Sequence, residues 1–148
     1  FPNSAYISGD DVSHMHVNGR EKPWESKKEI RLIWENIVCL TKNFLNQGND
    51  VVVDYVTFPH EAKWLRNSLR DINTEVIYVV LWSNKQTLMK RDNMRRPEYR
   101  MGERCSILMD EFLESGLDPK HFFDTSNDSV KDIPRIINNI IHEACFKL

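Results

Sequence analysis

Apolar residues along this chain alternate between two spacings, one suited to strands and one to helices. Ala5, Tyr6 and Ile7 form a short apolar run that Gly9 interrupts, so the pattern predicts a brief strand over 4–8, ending just before Asp10 and Asp11. After a polar loop containing Gly19 and Pro23, Ile30, Ile33, Trp34, Ile37, Thr41, Phe44 and Leu45 recur at helical period. Ser26 and Glu29 open this helix with the S-x-x-E spacing of a capping box, and Gly48 marks its end. Val51, Val52 and Val53, set between Asp50 and Asp54, predict a strand buried on both faces. Pro59 is placed to start a helix carrying Ala62, Leu65 and Leu69 on one side. The run EVIYVVLW, residues 75–82, is the strongest strand pattern in the sequence. A helix over 84–94, a break around Pro97 and Gly102, a helix over 104–115 and a short strand over 121–124 follow. Ile133, Ile136, Ile137, Ile140 and Ile141 make the stripe of a terminal helix.

Strands and helices in alternation imply an α/β protein, with crossovers of the length that joins parallel strands in a three-layer arrangement. No internal repeat, linker or low-complexity tract divides the 148 residues, which suit a single domain spanning 1–148. In open parallel sheets ligands bind beyond the C-terminal ends of the strands. Asp10, Asp54 and the loop after Asp124 fall there.

Charge narrows the choice of partner. Twenty basic and 22 acidic side chains give a formal charge of −2, which argues against a general polyanion surface and hence against a nucleic-acid partner. The basic charge is local instead. Arg91, Arg95, Arg96, Arg100 and Arg104 crowd into KRDNMRRPEYRMGERC, and guanidiniums this close repel one another unless an anion sits among them. The segment reads as a mobile phosphate clamp around 91–104; the alternative is a solvated helix end paired with Asp92, Glu98 and Glu103. Cys39, Cys105 and Cys145 lack metal-ligand spacing and predict reduced thiols and a cytoplasmic setting. No apolar run approaches the ~20 residues that span a bilayer, so no membrane partner is expected. The sequence leaves monomer and dimer both open.

Carboxylates at one rim and arginines over it are what phosphoryl transfer to a hydroxyl requires. The order of these parts resembles the P-loop small-molecule kinases of the adenylate, shikimate and gluconate kinase type, with gluconate-kinase-like and chloramphenicol-phosphotransferase-like proteins the nearest in pattern. YISGDD resembles that group's second strand, VVVDYV its third, LWSNKQTLMKRDNMRR its fourth strand and lid entry, and DTSNDSVKDIPRII its fifth strand and exit loop. The resemblance covers essentially the whole chain and implies ATP and Mg²⁺ as cofactors and a hydroxyl-bearing small molecule as acceptor. It implies Asp10 as the base that positions the acceptor, and Asp54 near the Mg²⁺ or the substrate. Arg91, Arg95, Arg100 and Arg104 would be lid residues on the ATP phosphates and the transferred group, with Thr125 and Ser126 against the adenine. His14, His16 and Trp24 fall in the segment that forms the acceptor side.

One part of that pattern is missing. G-x-x-x-x-G-K-[ST], whose amides cradle the phosphates, occurs nowhere, and none of Gly9, Gly19, Gly48, Gly102 and Gly116 precedes a lysine. In the family this loop follows the first, central strand and precedes the strand matched here by 4–8. The expectation is therefore a P-loop NTPase domain of the nucleoside-monophosphate-kinase type whose first strand and loop belong in front of Phe1. The alternatives are a catalytically inactive phosphate- or nucleotide-binding module and, on weaker grounds, a polynucleotide end kinase.

Overall fold

Local signals set most of the elements in the computed structural model, which describes residues 2–148. The chain is α/β and forms two compact units, Phe1–Thr74 and Glu75–Leu148. No helix among the described residues is long and apolar enough to cross a membrane.

The first unit runs β1 (Ser4–Ser8), α1 (Gly9–Ser13), α2 (Lys27–Asn46), β2 (Asp50–Asp54) and α3 (Pro59–Ser68). β1 and β2 pair in parallel from Ser4 opposite Asp50 to Ser8 opposite Asp54, which α2 makes possible by returning the chain to the same end. Ser26 caps α2 by accepting the Glu29 amide at 3.2 Å. The second half of the expected capping box does not form. Glu29 is buried, and its Oε1 lies 3.3 Å from Nε2 of His16 in the preceding loop.

α2 covers one face of the sheet. Ile33, Trp34 and Ile37 are almost wholly buried and cluster with Ile7 and Val12, while Val51, Val53, Tyr55 and Leu65 pack around them. The other face is bare: Tyr6 is 63% and Val52 45% exposed. The expectation of a strand buried on both faces therefore holds for only one face of β2, since nothing among the described residues of this unit covers Val52.

The second unit runs β3 (Val80–Trp82), α4 (Lys85–Asn93), α5 (Glu103–Glu114), β4 (Phe122–Asp124) and α6 (Ile133–His142). β3 pairs in parallel with β4, Val80 to Phe122 and Trp82 to Asp124. The long strand predicted over 75–82 is shortened to its last three residues because β4 offers only three partners. Its first half is taken by the end of the chain: Tyr78 N donates to Phe146 O at 2.9 Å, Leu148 N to Val76 O at 3.0 Å, and Ile77 bridges Lys147 in antiparallel sense. Leu81 is left 62% exposed, and the α6 stripe is only partly covered, with Ile133 and Ile137 exposed.

The two faces of the first sheet should respond differently to truncation. Ile37→Ala empties a closed site and is expected to cost ~2–5 kcal/mol, whereas Val52→Ala on the bare face should fall within ~0.5 kcal/mol of wild type in urea unfolding. Equal losses at the two positions would contradict this description of the packing.

Candidate functional site

Each unit gathers its polar side chains at the C-terminal ends of its strands. In the first unit β1 ends at Ser8, whose hydroxyl accepts the Asp11 amide at 3.1 Å and so turns the chain straight into α1. Asp10 and Asp11 consequently sit in the first turn of a short helix rather than in a loop, where acidic side chains suit the free amides. Both are exposed. His14 closes the turn, its Nδ1 2.6 Å from the Asp10 carbonyl oxygen. Arg20 returns the following loop to α1, its Nε donating to Ser13 O at 3.1 Å and to Ser13 Oγ at 2.9 Å.

Asp54 lies at the end of β2, opposite Ser8. Its Oδ2 accepts a 2.7 Å hydrogen bond from the Tyr6 hydroxyl on the bare face of the sheet. That bond raises the Tyr6 phenol above its ordinary value, with the charges of Asp54, Asp11 and Asp10 adding to it. One Asp54 oxygen is thus committed to Tyr6. The other could face a metal through water, although no group of three or more His, Cys, Asp or Glu among the described residues forms a metal cluster. Trp24 stands in the exposed loop with the Lys22 ammonium 5.8 Å above its ring.

Tyr55 packs against Gly9, the residue before Asp10. A methyl group at Gly9 would lie 2.2 Å from Tyr55 Cγ, so only glycine lets the ring pass under the start of α1. Burial, followed by the negative charge of Asp10, pushes the Tyr55 phenol up to about 12.

The second unit brings together residues far apart in sequence. Arg91, on the last turn of α4, donates to Thr125 Oγ1 at 2.9 Å, Thr125 O at 2.6 Å and Asp128 O at 2.9 Å. Thr125 in turn continues the sheet, its N and Oγ1 donating to Trp82 O at 2.7 and 2.8 Å. Ser126 Oγ accepts the Asn84 amide at 2.8 Å, and Asn84 Oδ1 caps α4 by accepting Thr87 N at 2.9 Å. The Ser126 hydroxyl and amide also hold the Asp124 carboxyl below its usual range. The β4 exit loop is therefore fastened to α4 at several points.

The other arginines divide. Arg104 makes a bidentate pair with Glu111, both contacts 2.9 Å, a partner outside the Asp92, Glu98 and Glu103 named for the helix-end alternative. Arg95 lies 3.5 Å from Asp92, and Arg100 Nε donates to Arg95 O at 3.0 Å. Arg95, Arg96 and Arg100 are all exposed. Sequence reasoning passed over Asn84, whose amide donates to Ser126 and whose Oδ1 caps α4, and Asp128, whose carbonyl oxygen accepts from Arg91 and whose carboxylate pairs with Arg135, and it treated Asp92 only as a salt-bridge partner. The N-cap position of Asn84, one residue before α4, was the available signal for it.

The chain matches no family model, and no curated protein matches it.

Two outcomes test this geometry. Gly9→Ala should destabilise the first unit by ~1–3 kcal/mol, because Tyr55 must be displaced; an unchanged unfolding midpoint would contradict the contact. The raised Tyr55 value means that the unfolded chain releases the phenolic proton first. Stability should hold below the ordinary value of 10.0 and fall as pH rises from there towards about 12, and Tyr55→Phe should flatten that fall. An equally steep alkaline loss in the variant would assign it to other groups.

Proposed function

We propose that this chain belongs to an ATP-dependent phosphotransferase acting on a hydroxyl of a small molecule, with Asp10 as the acceptor-positioning base. The observation that carries the reading is topological. A five-stranded parallel sheet of the P-loop kinase kind, with its first strand in the middle, loses that strand to leave two pairs of consecutive strands. Parallel β1·β2 and parallel β3·β4 are two such pairs. The proposal includes a three-layer P-loop fold of the nucleoside-monophosphate-kinase type.

The chemistry at the strand ends supports the same reading. Asp10 is exposed at the top of β1, free to accept a proton from a hydroxyl, and Asp54 stands at the end of the neighbouring strand. The Arg91-fastened loop at Thr125 and Ser126 gives a firm edge for a nucleotide base, and exposed Arg95, Arg96 and Arg100 offer donors to its phosphates. These residues fit contacts to the base and outer phosphates of ATP. They do not supply the amide cradle, which the reading assigns to a preceding G-x-x-x-x-G-K-[ST] loop.

A second reading, a binding module without turnover, is favoured by the engagement of Arg91 and Arg104 within the protein. Phosphoryl transfer separates the two. The natural protein should move the γ-phosphate of ATP to an acceptor drawn from sugar acids, nucleosides and antibiotic alcohols. Asp10→Asn should lower kcat by about 10²–10⁴-fold while ATP affinity stays unchanged. Failure of the natural protein to transfer phosphate to any of these classes would favour the module, and equal loss of turnover and ATP binding would move Asp10 to a structural role.

A further inference from the structure

Between α4 and α5 the chain makes a short excursion, residues 94–102, that carries three exposed arginines and is closed by one buried carboxylate. Asp92, on the last turn of α4, is 3% exposed. Its Oδ1 accepts Met101 N at 3.0 Å and its Oδ2 accepts Gly102 N at 2.9 Å, the two amides that immediately precede α5. Both oxygens of the side chain are thus spent on the far end of the excursion. Backbone bonds stiffen what lies between: Arg95 N donates to Asp92 O, Tyr99 N to Arg96 O and Arg100 N to Pro97 O, around the 3-10 turn Pro97–Tyr99. Gly102 takes a positive φ of 57°, which lets the chain turn into α5 beside the carboxylate.

The arginines are coupled to this closure. Arg95 Nη1 lies 3.5 Å from Asp92 Oδ1, and Arg100 Nε is tied to the Arg95 carbonyl oxygen at 3.0 Å. Among the ion pairs of the described residues, Arg96 and Arg100 have no carboxylate partner, although Glu98 and Glu103 lie close in sequence. A loop that holds long cationic side chains on a fixed frame has already lost part of the entropy that anion binding would otherwise cost.

We propose that Asp92 is a positioning residue that staples the excursion shut and thereby presents Arg95, Arg96 and Arg100 as a preorganised site for a polyphosphate. The identity of the anion rests on the phosphotransferase reading; the staple itself does not. Asp92 touches no phosphate. It acts through the Met101 and Gly102 amides and through Arg95.

Hydrogen exchange of the Met101 and Gly102 amides, together with titration by inorganic tripolyphosphate and by Mg·ATP, tests both parts. Asn offers one acceptor oxygen where Asp offers two, so Asp92→Asn should speed exchange at these amides and weaken both ligands about tenfold, the order expected when two long side chains lose their preorganisation. Arg100→Leu, an exposed change that leaves the staple in place, should weaken both ligands to a similar degree with exchange at Met101 and Gly102 unchanged. Unchanged exchange or unchanged affinity in Asp92→Asn would overturn the positioning role while leaving the phosphotransferase reading standing. A wild-type protein with slow exchange at both amides that binds neither ligand would overturn the polyphosphate site and the phosphotransferase reading with it. Binding of tripolyphosphate but not ATP would keep the anion site and count against a nucleotide as its source.

Discussion

The parallel pairing of β1 with β2 constrains everything else in the first unit, because two parallel neighbours need a crossover between them and a cover on each face. α2 supplies the crossover and one cover. Its buried stripe of Ile33, Trp34 and Ile37 fixes which face of the strands is inside, and so places Ile7 and Val53 inward and Tyr6 and Val52 outward. The same register puts Ser8 beside Asp54 and sends the chain into α1, which is how Asp10 and Asp54 come to share one end of the sheet. A bare face and free edges on a parallel pair are unusual, since exposed edges invite pairing with another strand.

The second unit solves the same problem with fewer residues. Three-residue strands give a short ladder, so the β4 exit loop is held by side chains instead: Thr125 reaches back to Trp82, and Arg91 reaches three acceptors across the loop. A guanidinium satisfied by neutral carbonyl and hydroxyl oxygens keeps its charge while its donors fix geometry. The arginine-rich stretch thus does two jobs. Arg91 and Arg104 brace the fold, and Arg95, Arg96 and Arg100 are displayed on the Asp92-closed excursion.

Much of this was legible in the sequence, and the parts that were not share a cause. The long period of α2, the valines of β2 and the Pro59 start of α3 are local signals, and they placed those elements closely. α1 was missed because Gly9 was taken only as the break that ends the strand before the two aspartates, while Ser8 was available to cap them into a helix. The length of β3 depended on how many residues β4 could offer, which no local pattern in 75–82 contains. Arg91 and Thr125 were each singled out, but their contact spans 34 positions. Asp92 was the least legible, since its partners are backbone amides that carry no sequence signature.

The central proposal is that a strand carrying a phosphate-cradling loop precedes both strand pairs in the natural sequence. Intact mass and N-terminal sequencing of the protein isolated from its natural source test it most directly. The account predicts a longer chain in which an apolar strand and a G-x-x-x-x-G-K-[ST] loop precede Phe1. A natural chain that contains neither would contradict it.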